Sequence, residues 1–232
     1  MTDFPLLPIF AMGAIVGLDS TAAFQIMVSQ PIVACPLLGW MMGDPVMGWM
    51  VGITTQLLWM GKLPVGAATF PDGSMGSLVV AGLAVHFRKW FALDGVGVLL
   101  GLSVLWGAVV AWVGGWIIVV QRKLQSRMVG IGWFDKQAQG GNLHRYSQGY
   151  LLVIAWNGFI GGCTALIFFV IGHGILQLII PILPDGVHHV GFVIPYLLLG
   201  IGSAQIFILY GFRRWWLILG GGVTGVLLWR MV

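Results

Sequence analysis

Thr54, Thr55 and Gln56 stand side by side in an apolar run, and Asp44, Lys62 and Asp72 interrupt the same stretch, residues 30–73. A charged side chain at bilayer depth costs about 2.5–3.5 kcal/mol on insertion scales, so chains keep one where it lines a cavity, meets a partner or sits at a helix break. Two hydroxyls, a primary amide and a carboxylate donate and accept hydrogen bonds, which is the chemistry of recognition rather than of covalent change. Polar backbone broken by Gly and Pro inside a hydrophobic region is the usual mark of a transporter's binding region. Gln56 and Asp72 carry the reading best, because an amide or a carboxylate in hydrocarbon needs a partner. The Thr54 hydroxyl has a blander option, the carbonyl of its own preceding turn. Thr55 shares the turn, Gln25 and Gln30 could complete the set, and Gly66, Ala67 and Ala68 would let a ligand approach the backbone.

Asp44 has two readings: a cap for the helix that begins at Pro45, or an ion pair with a basic residue such as Lys62. Asp19, followed by Ser20 and Thr21, has the same two. No catalytic residue, metal site or cofactor is expected. Cys35 and Cys163 lie in apolar runs without metal or redox spacing and read as small reduced hydrophobes. His188-His189 sits in a Gly/Pro/Asp segment and reads as a solvated connector, with His86, His144 and His173 elsewhere. Nucleophile-elbow, Walker A and H-E-x-x-H patterns are missing, so an intramembrane enzyme has no constellation to rest on.

These residues need a scaffold that holds them in lipid. The chain is 59% hydrophobic and 8% charged with a mean hydropathy of +0.97, more apolar surface than a soluble domain of this length can hide. Alternating polarity in ten-residue units is absent, which excludes a β-barrel. The expected fold is an all-α integral membrane protein, a polytopic helical bundle with short discontinuous or re-entrant helices, forming one domain over residues 1–232. Its first span inserts the chain without cleavage.

Short apolar segments are expected at 4–18, 31–43, 45–60 and 74–87, with an amphipathic stretch at 19–30. Full spans are expected at 95–120 and 149–171, a half-crossing piece at 172–183, and further segments at 191–210 and 215–229. A complete crossing needs about 20 residues. The short ones are therefore either re-entrant or ordinary helices in a thin bilayer, and the charges at their breaks favour the first. The polar stretch 121–148 holds Arg122, Lys123, Arg127, Lys136 and Arg145 against Asp135 alone, which puts it, and Arg213-Arg214, in the cytoplasm. Basics so sparse and so close to spans contact lipid headgroups rather than nucleic acid. Trp112, Trp116, Trp133, Trp215, Trp216 and Trp229 read as interface anchors. Glycines four apart, such as Gly13/Gly17, Gly39/Gly43, Gly48/Gly52, Gly97/Gly101, Gly158/Gly162 and Gly221/Gly225, suit close helix packing.

One block carries a resemblance. P-I-V-A-C-P-L-L-G-x-x-x-G-D from Pro31, then G-I-T-T-Q-L-L-W-M-G-x-x-P-V-G-A-A-x-x-P-D ending at Asp72, with Asp19 in G-L-D upstream, resembles the membrane IIC subunit of mannose/fructose/sorbose phosphotransferase systems. The W-M-G-x-x-P wording around Trp59 and Pro64 is most similar to the N-acetylgalactosamine branch. The resemblance covers residues 13–80. Where the family reads T-L-E this chain reads Thr55-Gln56-Leu57, and it contains no Glu; Gln keeps the length and loses the charge.

What the resemblance implies is a sugar-translocating permease subunit of a phosphoenolpyruvate-dependent system in the bacterial cytoplasmic (inner) membrane. It would bind sugar near mid-membrane through Thr54, Thr55, Gln56, Gly66, Ala67, Asp72, Gln25 and Gln30. Its partners would be a IID membrane subunit and cytoplasmic IIA and IIB proteins in a hetero-oligomer, with phosphoryl transfer on those partners and none here. The alternative is a divergent, non-transporting subunit that serves assembly or regulation.

Overall fold

The computed structural model describes residues 5–21, 25–61, 71–88, 95–128, 143–184, 191 and 193–210, with the backbone alone for 127–128, 143–148 and 205–210. Among the described residues every regular element is helical. In chain order they are α1 (Leu6–Thr21), α2 (Pro31–Met41), α3 (Pro45–Trp59), α4 (Gly73–Arg88), α5 (Val96–Met128), α6 (Leu143–Ile179) with a 3₁₀ turn at Ile180–Ile182, and α7 (Val193–Tyr210). Lys62, Gly66, Ala67, His188-His189, Arg213-Arg214, Gly221/Gly225 and the segment 215–229 lie outside the described residues.

The break between α2 and α3 is written residue by residue. Gly43 takes a left-handed φ of +87°, which suits a residue without a Cβ. The N–H of Gly43 then reaches the carbonyl of Trp40 at 3.2 Å, and that of Asp44 reaches Gly39 at 2.8 Å, closing the last turn of α2 as a Schellman motif. Asp44 accepts from the Met47 N–H at 3.0 Å and so caps α3, with Pro45 at its first position. The capping reading of Asp44 holds, and an ion pair comes with it. The partner is Arg88, at the end of α4, at 3.2 Å.

Helices α2 and α3 form a hairpin. A Cβ on Gly48 would fall 2.6 Å from the Cys35 carbonyl, and one on Gly39 would fall 2.9 Å from the Gly48 Cα. Helix α1 lies antiparallel on α6 in the same manner, Gly17 against Gly161 and Gly13 against Gly161, Gly162 and Ala165. Helix α4 packs on α5, where Gly76 meets Gly107 and Ala111. Its far end stacks on α6 through His86, Phe87, Phe169 and His173, with the two imidazole centroids 5.0 Å apart.

Three expectations are corrected. Of 19–30, the first three residues finish α1, and 25–30 form an irregular turn with left-handed φ at Gln25 and Met27. The polar stretch 121–148 is helical at both ends, since α5 continues to Met128 and α6 starts at Leu143; a helix needs no lipid to continue once it is formed. Trp112 and Trp116 are exposed on α5. Residues 172–183 are not a separate half-crossing piece, because α6 runs through them to Ile179. Gly172 makes room for the Trp106 ring, whose N–H donates to the Phe168 carbonyl at 3.0 Å. That glycine is a packing position and not a break.

Helices α5 and α6 are long and apolar enough to cross a membrane. At 1.5 Å per residue, α2, α3 and α4 reach about 16–24 Å, short of a hydrocarbon core of about 30 Å.

Candidate functional site

Asp72 stands directly before α4 and caps it: its carboxylate accepts from the Met75 N–H at 3.1 Å. Its own N–H donates to the Ala111 carbonyl at 2.8 Å. A Cβ on Gly114 would sit 3.2 Å from the Asp72 Cβ, so the absence of a side chain there is what admits the aspartate. Ala111 and Gly114 lie midway along α5. Since α4 and α5 are antiparallel, α4 starts at mid-height and runs toward the end where α5 begins. It is about half the length of α5, and its N-terminus, the positive end of its dipole, is held inside the bundle.

Below that N-terminus lies a narrow cleft enclosing about 20 Å³, between the last turn of α1, the second half of α5 and the middle of α6. Its polar lining includes Asp72, Thr21, Gln121, Asn157 and Thr164. At the end away from Asp72, the Gln121 amide donates to the Asn157 Oδ1 at 2.7 Å. The Thr21 hydroxyl donates its one proton to the Gly17 carbonyl at 2.6 Å and lies 3.3 Å from that Asn157 oxygen. The Asn157 N–H in turn reaches the Val153 carbonyl at 2.6 Å. Asp72, Gln121, Asn157 and Thr164 are each more than nine-tenths buried.

On the other side of the α3–α4 junction, where the Trp59 ring covers Gly73, lies a second polar pair. The Gln56 amide donates to the Gln30 side-chain carbonyl at 3.2 Å, and its own carbonyl accepts from the Ile32 N–H at 3.3 Å. Gln30 makes no side-chain cap for α2, so Gln56 does that work from the neighbouring helix. The structure thus joins Gln56 and Gln30 and sets Asp72 in a different place.

The remaining expected residues are placed as follows. Thr54 and Thr55 are buried, and their hydroxyls donate to the Met50 and Val51 carbonyls one turn back, each at 2.7 Å. Gln25 is exposed in the turn after α1. Gly66 and Ala67 lie outside the described residues. Asp19 neither caps a helix start nor pairs with a cation among the described residues; its two oxygens accept from the Ile26 and Ser29 N–H groups at 2.7 and 2.8 Å, pinning the turn. Sequence reasoning missed Gln121, Asn157, Thr21 and Thr164. Asn157, a primary amide in the middle of an apolar span, was the available signal.

Residues 4–224 match the family model EII-Sor, described as the PTS system sorbose-specific IIC component. The sorbose-specific EIIC component of Klebsiella pneumoniae is 30% identical over 104 residues, 45% of this chain and 38% of the relative. A protein of Escherichia coli (strain K12), named as an N-acetylgalactosamine permease IIC component 2, is 35% identical over 86 residues, 36% of this chain and 64% of its own length. In both, the match spans less than two thirds of the relative. Among solved structures, the cryo-EM complex of the mannose transporter ManYZ with microcin E492 shares the fold at a TM-score of 0.58 and 19% identity, over 100% of this chain and 95% of that one. A family match over nearly the whole length, with this helical architecture, settles the affiliation: the chain belongs to the EII-Sor family of phosphotransferase-system IIC components and is an all-α integral membrane protein.

Proposed function

We propose that this chain is the sugar-translocating subunit of a phosphoenolpyruvate-dependent phosphotransferase system, a single domain over residues 1–232 crossing the bacterial cytoplasmic membrane several times. It binds sugar near mid-membrane and hands it to cytoplasmic IIA and IIB partners, which carry the phosphoryl chemistry. A IID subunit completes it in the membrane. The exposed apolar side chains Trp40, Val46 and Trp49 on the α2–α3 hairpin suit such a partner or lipid.

The observation that carries this reading is α4, a half-helix whose Asp72-capped start faces a polar cleft halfway along α5. Broken helices that end at a midplane site are how transporters place fixed dipoles and spare hydrogen bonds against a solute. The Gln30–Gln56 pair adds amide groups beside the same junction. Alternating access follows if the short-helix block moves against α5 and α6.

The test is equilibrium binding of sorbose, mannose, fructose and N-acetylgalactosamine to the chain purified with its membrane partner. Saturable binding of one of them, weakened in Gln56→Leu, is the expected result. An intact complex that binds none of the four would leave the assembly or regulatory role as the better account.

A further inference from the structure

We infer that the cleft between α1, α5 and α6 holds one ordered water, which joins the start of α4 to α6 through Asp72 and Thr164. The inference is independent of the transport reading, since an enclosed space of about 20 Å³ takes a single water and no sugar.

Room and partners are both present. A water needs about 10–15 Å³ of such space and about two to four polar partners. Helix α1 brings Thr21, α5 brings Gln121, α6 brings Asn157 and Thr164, and Asp72 joins them from the α4 start.

Thr164 is the group that calls for the water. It is more than nine-tenths buried, yet among the described residues its hydroxyl makes no hydrogen bond to protein. Thr54 and Thr55 bond the carbonyl one turn back, and Thr164 does not. A buried hydroxyl without a partner bears its full desolvation cost, whereas a bridging water is nearly as good as a direct bond.

Asp72 offers an acceptor on the same side. Its Oδ1 accepts from the Met75 N–H. Its Oδ2 lies 3.6 Å from where a Cβ on Gly114 would stand, and Gly114 lines the cleft, so the missing side chain leaves that oxygen open to the space. Beyond its bond to Asn157, Gln121 keeps a carbonyl and one N–H.

The lining also decides between water and an ion of similar size. Amide N–H groups and the positive end of α4 share the space with a single carboxylate. A cation would meet those donors. An anion would meet Asp72, with no Lys, Arg or His in the lining. Water donates and accepts, and so answers both.

The result is a joint. Asp72 is fixed to α5 directly, by its N–H on the Ala111 carbonyl, but reaches Thr164 through a molecule that can be exchanged. A small shift of the α4 start against α6 then strands no buried polar group.

The experiment uses the chain with its membrane partner. A density map fine enough to show ordered waters elsewhere in the protein should show one peak within hydrogen-bond distance of the Thr164 hydroxyl and the Asp72 carboxylate. Such a map without that peak overturns the inference. Thermal unfolding supplies a sign. Thr164→Val, close in volume, takes a partner from the water and should lower the unfolding temperature by a few degrees. Without a water it would remove an unpaired buried hydroxyl, so an unchanged or raised temperature also overturns the inference. Exchanging sodium for choline in the buffer should alter neither the peak nor the unfolding temperature; stabilisation that saturates with sodium would give the space to a cation instead.

Discussion

Arg88, the last residue of α4, reaches Asp44, the cap of α3, at 3.2 Å. The ion pair ties the far end of α4 to the turn of the α2–α3 hairpin, so one carboxylate holds a helix start and a neighbouring helix end. Both side chains are about a quarter to a third exposed, and the two roles differ in weight. Replacing a capping Asp by Ala costs about 0.5–2 kcal/mol, whereas a solvent-accessible ion pair is worth about 0–1 kcal/mol. Thermal unfolding of the purified complex should rank Asp44→Ala as more damaging than Arg88→Ala, with Asp44→Asn close to the parent. Equal losses in Asp44→Asn and Asp44→Ala would show that the charge, not the cap, is what matters.

The Gln56 side-chain carbonyl accepts from the Ile32 N–H, one of the donors at the start of α2 that the helix itself leaves unsatisfied. A carboxylate there would accept the same bond and meet the positive end of the helix. Gln56→Glu is expected to keep or raise stability, with the Gln30 amide free to turn and donate. That bond lies on an exposed face of the hairpin, so Gln56→Leu should lose about 0.5–1.5 kcal/mol, the range for an ordinary hydrogen bond. The same variant should bind sugar about five- to thirtyfold more weakly if the amide also meets the ligand. Measuring stability and affinity on the same preparations separates the two effects.

Helix α1 sits on α6 through glycine. A Cβ at Gly161 would lie 2.6 Å from the Gly13 carbonyl, an approach only backbone movement relieves. At Gly158 the nearest atoms belong to the flexible Leu18 side chain, 3.2 Å away. Gly161→Ala should therefore cost about 1–3 kcal/mol, the range for overpacking, and Gly158→Ala clearly less. Comparable unfolding temperatures for the two variants would contradict the packing.

The basic segment between α5 and α6 is expected in the cytoplasm. A single thiol introduced as Gln137→Cys in a Cys35→Ser, Cys163→Ser background should resist an impermeant reagent in intact cells and react after permeabilisation. Labelling from outside would reverse the orientation of the bundle and of the cleft with it.

What could be read from the chain depended on how local the cause was. Gly43, Asp44 and Pro45 each do the job their side chain suits at a helix end, so the hairpin was legible. The start of α4 was also legible, because Asp before Gly and a run of small residues is a local signal. Glycine misled where it served packing rather than turning: Gly172 reads as a break and is the seat of the Trp106 ring. Polarity misled where helices leave lipid, so the ends of α5 and α6 read as loop. The cleft was illegible for another reason. Asn157 meets Gln121 across 36 positions and Thr21 across 136, and no local pattern announces a contact at that range.

The midway start of α4 bears on how this protein is made. A ribosome-bound chain emerging up to α4 offers helices too short to enter hydrocarbon singly at full depth. The surface that seats Asp72, the Ala111 carbonyl and Gly114, has not yet been synthesised. We predict that integration of the first four helices is completed only after α5 arrives, so the membrane acquires them as a group. Nascent chains stopped before residue 95 should remain extractable by alkaline carbonate, and chains extended through residue 128 should not. Carbonate resistance of the shorter chains would show that the early helices need no template. On this account Gly114, far along the chain, decides the fate of residues made well before it, and a bulky substitution there should be felt first in biogenesis.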